Sequence, residues 1–219
     1  MGPLLASNLT GHDQEGVWMS NLVVNTHLTL DGVMQAPGRP GEDRRDGFEH
    51  GGWELPYGDL VMAEVAADSM ANTGAILLGQ RTYLDFYGFW PHQTDNPFTE
   101  VLNKTQKYVA STTLAEPLPW SNSTLLDGDA MEAVAKLKEQ PGNDIVVLGS
   151  GELVQSLMQH HLVDQYVLFI HPLVLGSGRR LFRDGSPYAT LRLVDTKPTT
   201  TGVIIATYQP TEPTAGTTA

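Results

Sequence analysis

An α/β fold with a mostly parallel central sheet follows from three features of the sequence. Apolar, β-branched runs alternate with stretches of helical periodicity, the pattern of right-handed strand-helix-strand crossovers. Two of those runs, at 75–78 and 144–148, stop at glycine and pass directly into a helical pattern. The last three, at 166–170, 190–194 and 202–208, follow one another without a clear intervening helix, which places an antiparallel edge at the C-terminal end of the sheet.

The 219 residues show no shift in composition that would divide them, and a single domain of this size buries a substantial core. Hydrophobic residues make up 41% and charged residues 17%. No apolar run approaches the roughly 18 residues needed to cross a bilayer. With 25 acidic against 13 basic residues the net charge is -12, which repels nucleic acid and anionic membranes at long range. A bound phosphate must therefore be held locally, by backbone donors and a few placed side chains. With no cysteine there is no disulfide, thiol nucleophile or thiolate metal site. Residues 1–20 lack a basic region followed by an apolar run and read as a flexible extension, and Ala6 stands where a myristoylation signal needs Ser or Thr. A cytoplasmic location is the default expectation.

Residues 22–28 form the first strand and lead into the turn residues Asp31 and Gly32. The stretch 37–58 is rich in proline and glycine and contains the charge cluster 42–46. Because it also carries Phe48, Trp53 and Tyr57, it is expected to be a lid rather than plain disorder. An amphipathic helix over 59–72 leads to the strand 75–78, and a second helix starts at Thr82. Asn96 and Pro97 open a short helix over 98–103. A strand at 107–111 ends in the hydroxyls Ser111 and Thr112, a helix over 129–140 stops at Pro141-Gly142, and the strand from Ile145 feeds a helix over 152–160. The tail 211–219 is polar and expected to be disordered.

A strand that ends in a glycine turn and enters a helix aims free backbone N–H groups, and the positive end of the helix dipole, beyond the strand end. Gly149, Ser150, Gly151, Glu152 and Leu153 form one such turn. Gly79, Gln80, Arg81 and Thr82 form another, with an added cation and hydroxyl. Together with Ser111 and Thr112 they converge on one crevice at the carboxyl ends of the strands, a plausible dinucleotide site. The Rossmann fingerprint is absent, since Val154 occupies the place of its third glycine.

Residues 29–32 (Thr-Leu-Asp-Gly), 77–83 (Leu-Leu-Gly-Gln-Arg-Thr-Tyr), 147–151 (Val-Leu-Gly-Ser-Gly) and 172–178 (Pro-Leu-Val-Leu-Gly-Ser-Gly) resemble the successive signatures of the dihydrofolate reductase-like proteins. The likeness runs from residue 22 to residue 210 and is closest to the reductase domain of the bifunctional deaminase-reductase of bacterial riboflavin biosynthesis. The resemblance implies a three-layer α/β/α fold over 21–210, a homodimer paired through the late strands, and a reduced nicotinamide cofactor, usually NADPH, with NADH possible. It implies that Gly79 to Thr82 and Gly149 to Leu153 meet the pyrophosphate, and Ser111 and Thr112 the 2′-phosphate. The family often has a cis peptide at a position that here joins Gly149 and Ser150. It commonly has Arg where this chain has Gln80, which leaves Arg81 as the nearby cation.

The implied reaction is hydride transfer to a C=N or C=O carbon of a small, pterin- or pyrimidine-like compound, with a proton delivered to the neighbouring heteroatom. Candidate carboxyls are Asp31, Glu54 and Asp59. Asp31 is equally suited to a turn, and Asp59 to capping a helix. Trp53, Tyr83, Phe86 and Trp90 are either walls of a heterocycle pocket or core, and His171 either faces substrate or fills space. No metal-binding spacing such as H-E-x-x-H occurs, so no metal is expected. Without a G-x-S-x-G elbow, Ser150 and Ser177 read as loop residues. Reduction of dihydrofolate or of the riboflavin-pathway pyrimidine proper is one alternative function. A nucleotide-binding module without catalysis is another.

Overall fold

The central strands carry apolar residues at both parities, and this determines the layering. In the computed structural model, which describes residues 19–94 and 96–211, β1 (Leu22–Thr29), β2 (Thr73–Gly79) and β5 (Asp144–Leu148) form the middle of an eight-stranded sheet. Leu22, Val24, Leu77, Ile145 and Val147 point to one face, where α4 (Ala130–Lys138) and α5 (Gly151–Gln159) bring Val134, Val154 and Leu157 against them. On the other face Val23, Val146 and Phe169 meet Val61, Met62 and Val65 of α1 (Leu60–Asn72). There too Ile76, Leu78 and Val109 meet Tyr83 of α2 (Gln80–Phe89) and Leu102 of α3 (Pro97–Lys104). The result is the three-layer α/β/α arrangement expected from the sequence.

The remaining strands are β3 (Gln106–Ala110), β4 (Ser123–Leu125), β6 (Gln165–His171), β7 (Thr190–Pro198) and β8 (Ile204–Thr211), and the sheet order is β4-β3-β2-β5-β1-β6-β8-β7. All pairings from β4 to β6 are parallel. β8 pairs antiparallel with both β6 and β7, which makes the expected C-terminal edge. The strand β4 has no clear sequence signal; three residues of the run Ser-Thr-Leu pair with β3 through Lys107, Tyr108 and Val109. The expected N-terminal extension, apart from Met19 and Ser20, and the expected disordered tail beyond Thr211 lie outside the described residues.

The stretch 37–58 differs from a loose lid. Two 3₁₀ turns, Arg45–Gly47 and Leu55–Tyr57, punctuate it. Phe48 and Trp53 are buried in a small cluster with Val33 and Ala36, packed by Leu173 and Leu175. Trp53 Nε1 donates to the Gln35 carbonyl at 2.8 Å, and Glu42 Oε2 accepts from the amides of Gly38 and Arg39. Two glycines let the segment fold back on itself: a Cβ at Gly52, where φ is +82°, would stand 2.8 Å from Pro40 Cδ, and one at Gly51 2.9 Å from the Arg39 carbonyl oxygen. Aromatic burial and internal hydrogen bonds pack this segment as a wall rather than a loose loop.

The glycine of the 172–178 motif has a similar packing reason. At Gly178 φ is +121°, and a Cβ would meet Val33 Cγ1 at 2.7 Å and Phe48 Cε2 at 2.8 Å. Gly178→Ala is expected to destabilise the fold by about 2–4 kcal/mol, read as a lower urea midpoint at unchanged slope.

Candidate active site

Five α-helices begin among the described residues, and their first turns are treated in two ways. Asp59 accepts from Val61 N, Asn96 from Phe98 N, and Asp129 from Met131 N and Glu132 N, so α1, α3 and α4 are capped by side chains. No side chain caps α2 or α5. These two start at the carboxyl ends of β2 and β5, which are parallel neighbours, so their uncapped first turns open side by side. Unsatisfied amides plus the helix dipole make such a pair attractive to an anion.

Ser150 joins the two turns. Its Oγ accepts from Gly79 N and donates to Thr82 Oγ1, both at 2.9 Å. Gly149 (φ +57°) and Ser150 (φ +58°) are both left-handed, which turns successive amides toward one side. The peptide between them is trans, contrary to the family habit; the one cis bond among the described residues joins Glu116 and Pro117. A Cβ at Gly79 would stand 3.5 Å from Ser150 Oγ and one at Gly149 3.4 Å from Thr82 Cγ2, ordinary contact distances, so the requirement for glycine lies in the positive φ of Gly149.

Around these turns lies a cleft of about 2120 Å³, lined by Gly79, Gln80, Arg81, Thr82, Ser111, Thr112, Gly149, Ser150, Gly151, Glu152 and Leu153. Leu153 is buried, so its amide rather than its side chain is what it can offer. Glu152 Oε1 accepts from Arg179 at 3.3 Å. Gln80 Oε1 accepts from the hydroxyls of Ser111 and Thr113, each at 2.7 Å, and Ser111 Oγ accepts from Thr113 N and Leu114 N. The Ser111 hydroxyl is thus committed to its own turn, while the NH₂ of Gln80 is left as a neutral donor in the place of a guanidinium.

The same cleft is lined by Glu54, Asp59 and Phe86, and by His27, which the sequence reading passed over. Four expected site residues stand elsewhere. Tyr83 is fully buried, its hydroxyl accepting from Trp120 N at 3.0 Å, and it belongs to the core. Trp53 is held in the wall, edge-on to His171 at 5.1 Å between ring centroids. His171 is also fully buried, and desolvation, with His27 beside it, pushes its pKa down to about 4. Asp31 lies in the turn after β1, where its carboxylate accepts from Thr29 Oγ1 (2.6 Å), Leu175 N (3.2 Å) and Gly176 N (2.9 Å). Trp90, left between pocket and core, lines the cleft as well as packing against the α2–α3 core. Asp59 stays at the cleft rim as the α1 cap, its second oxygen accepting from the amide and hydroxyl of Thr200; chiefly that hydroxyl holds its pKa low.

His27 carried one sequence signal: it closes the polar run Asn25-Thr26-His27 in the middle of a central strand that begins and continues with apolar residues. Its ring stacks on Phe169 (4.6 Å, 6° between planes). Its Nδ1 lies 3.0 Å from His171 Nε2 and 2.7 Å from Glu54 Oε2. The second contact is close but off the line of an Nδ1–H bond, so that oxygen is buried without an aligned donor. Burial raises the Glu54 pKa, but the adjacent His27 outweighs it and the net shift is downward, so the carboxyl is ionised at neutral pH.

The profile of the family described as the RibD C-terminal domain matches residues 20–205. The chain belongs to that family. Among relatives, protein YyaP of Bacillus subtilis (strain 168) is 29% identical over 192 residues, covering 85% of this chain and 93% of that protein. Among solved structures, a putative riboflavin biosynthesis protein from Shewanella sp. PV-4 superposes with a TM-score of 0.63 at 18% identity, covering 88% of this chain and 99% of the other. The dihydrofolate reductase of Enterococcus faecalis, complexed with NADP(H) and RAB-propyl, superposes with a TM-score of 0.56 at 15% identity, covering 90% of this chain and 99% of that one. Both likenesses show a dihydrofolate reductase-like fold. Among the described residues, no helix is long and apolar enough to cross a membrane.

The Asp31 geometry has a testable consequence for stability. Burial raises its pKa, but the Thr29 hydroxyl and the amides of Leu175 and Gly176 outweigh that and hold it at about 2. A carboxyl with a depressed folded-state pKa contributes stability that is present above its unfolded value, near 4, and lost as pH falls toward about 2. Asp31→Asn is expected to cost about 1–2 kcal/mol at pH 7, and the gap to wild type should close below about pH 2 in urea titrations across pH.

Proposed function

We propose that this chain is a nicotinamide-dependent reductase, with NADPH as the preferred donor, acting on a small pyrimidine- or pterin-like heterocycle. The observation that carries this reading is the pair of uncapped helix starts, joined by Ser150 and opening into one cleft. The donor set suits a dinucleotide diphosphate: two runs of backbone amides, glycines without a Cβ between them, and the Arg81 guanidinium on the same cleft wall. Membership of the RibD C-terminal domain family supports it, as does a neighbour of the same fold that holds NADP(H).

In this reading the turns 79–82 and 149–153 bind the pyrophosphate. Arg81, Thr112 and the NH₂ of Gln80 bind the 2′-phosphate side, with Ser111 acting by fixing Gln80. When bound, the reduced nicotinamide supplies a hydride. Phe86 offers an apolar surface to a flat heterocycle, and the fixed 37–58 wall excludes water from one side. Of the candidate carboxyls, Asp31 stands outside the cleft and Asp59 is engaged by α1 and Thr200, which leaves Glu54 to orient a proton-bearing water or polar substrate group. Exposed Leu193, Val194 and Ile204 on β7 and β8 support pairing of two chains along that edge.

Titration with NADPH should raise the thermal midpoint saturably, and NADH should do so more weakly. A flat midpoint with both would remove the reductase reading. Glu54→Gln is expected to lower turnover at least about tenfold in a reductase assay while keeping the NADPH-induced midpoint rise; a non-catalytic binding module would keep the rise and show no turnover in either form.

A further inference from the structure

His27, Glu54 and His171 come from three separate elements: the end of β1, the 37–58 wall and the end of β6. Their ligating atoms, Nδ1, Oε2 and Nε2, all lie within 4.8 Å of one another, at 2.7 Å and 3.0 Å from the shared Nδ1. A single Nδ1–H cannot lie along both directions. If it points at His171, the buried Glu54 oxygen has no donor. If it points at Glu54, the lone pair of His171 Nε2 has none. If His171 Nε2–H donates to His27 Nδ1 instead, Glu54 Oε2 again has no donor. Each of these arrangements leaves one lone pair of the cluster unanswered, which costs stability where the atom itself is shielded from water. Consistent with this, Glu54 Oε2 and the far nitrogen of His171, Nδ1, are buried without hydrogen-bond partners among the described residues.

We propose that these three side chains bind a divalent transition metal of the zinc class. One cation between them accepts all three lone pairs at once and neutralises the buried carboxylate. Two imidazoles and a carboxylate are a donor set suited to Zn²⁺, Co²⁺ or Fe²⁺, and three protein ligands leave a fourth position open. Because His27 and Glu54 line the cleft, that open position faces it. Ligand atoms around a tetrahedral zinc stand about 3.3 Å apart, so the 2.7 Å and 3.0 Å spacings at His27 Nδ1 need to open by roughly 0.6 Å and 0.3 Å. The metal would fasten the 37–58 wall to the sheet through Glu54. The site rests on these three residues and goes beyond the reductase reading, on which it does not depend.

The test is Co²⁺ titration of the full, metal-stripped chain, followed by its visible d–d absorption and by competition with Zn²⁺. One equivalent is expected to bind below about 10 μM with the intense bands of a four- or five-coordinate site, to be displaced by Zn²⁺, and to raise the thermal midpoint. Glu54→Gln and, separately, His27→Gln should each weaken binding at least about tenfold. His160→Gln/His161→Gln, which removes the exposed neighbouring histidines, should leave it unchanged. Circular dichroism of each metal-free variant checks folding, and Glu54→Gln alone decides the matter if His27→Gln does not fold. Binding weaker than about 1 mM, or binding that survives Glu54→Gln and disappears in the His160/His161 variant, overturns the proposal.

Discussion

The parallel adjacency of β2 and β5 is the constraint on which the cleft depends. Parallel neighbours end on the same edge of a sheet, so the helices that follow them begin side by side, with their dipoles and free amides aimed the same way. Gly149 supplies the left-handed backbone of the turn, and Ser150 links the two turns through the Gly79 amide and the Thr82 hydroxyl. Ser150 adopts a left-handed conformation that few residues other than glycine tolerate. Its hydroxyl contacts are what glycine could not supply.

Charge is handled locally. An overall charge of -12 disfavours any anion at a distance, yet the two turns offer short-range donors to one: backbone amides, two helix starts and the neighbouring Arg81. Four other arginines of the cleft lining are paired, Arg39 with Asp85, Arg45 with Asp43, Arg179 with Asp46 and Glu152, and Arg180 with Asp31. They tie the wall and the 172–181 region to the body of the fold. Their charge is largely spent on structure.

The wall over 37–58 shows how a glycine- and proline-rich stretch becomes fixed. Its composition predicts mobility, but Phe48 and Trp53 bury their rings, and Gly51 and Gly52 let the chain lie against Arg39 and Pro40 at distances no side chain would permit. Fixing the wall also fixes Glu54, which is carried two residues before Pro56 in a short 3₁₀ turn region and set against His27.

By itself the sequence determined the helices, all the strands but β4, the mixed sheet and the glycine turns of the cleft, because these arise from local signals: apolar periodicity, caps, and glycine at the junction of strand and helix. It also determined membership in a family, through four short motifs in order. Tertiary structure alone decided which side chains face the cleft. Asp31 and Tyr83 have the residue types of a site, but the first is consumed by the 172–178 turn and the second by the core beneath Trp120. His27, Glu54 and His171 are far apart in the chain and share no spacing motif; only the parallel pairing of β1 with β6, and the folding of the wall over both, brings them together. Periodicity fixes which face of its own strand a residue occupies. Which residues of other elements it meets there is set by long-range pairing, which local pattern does not encode.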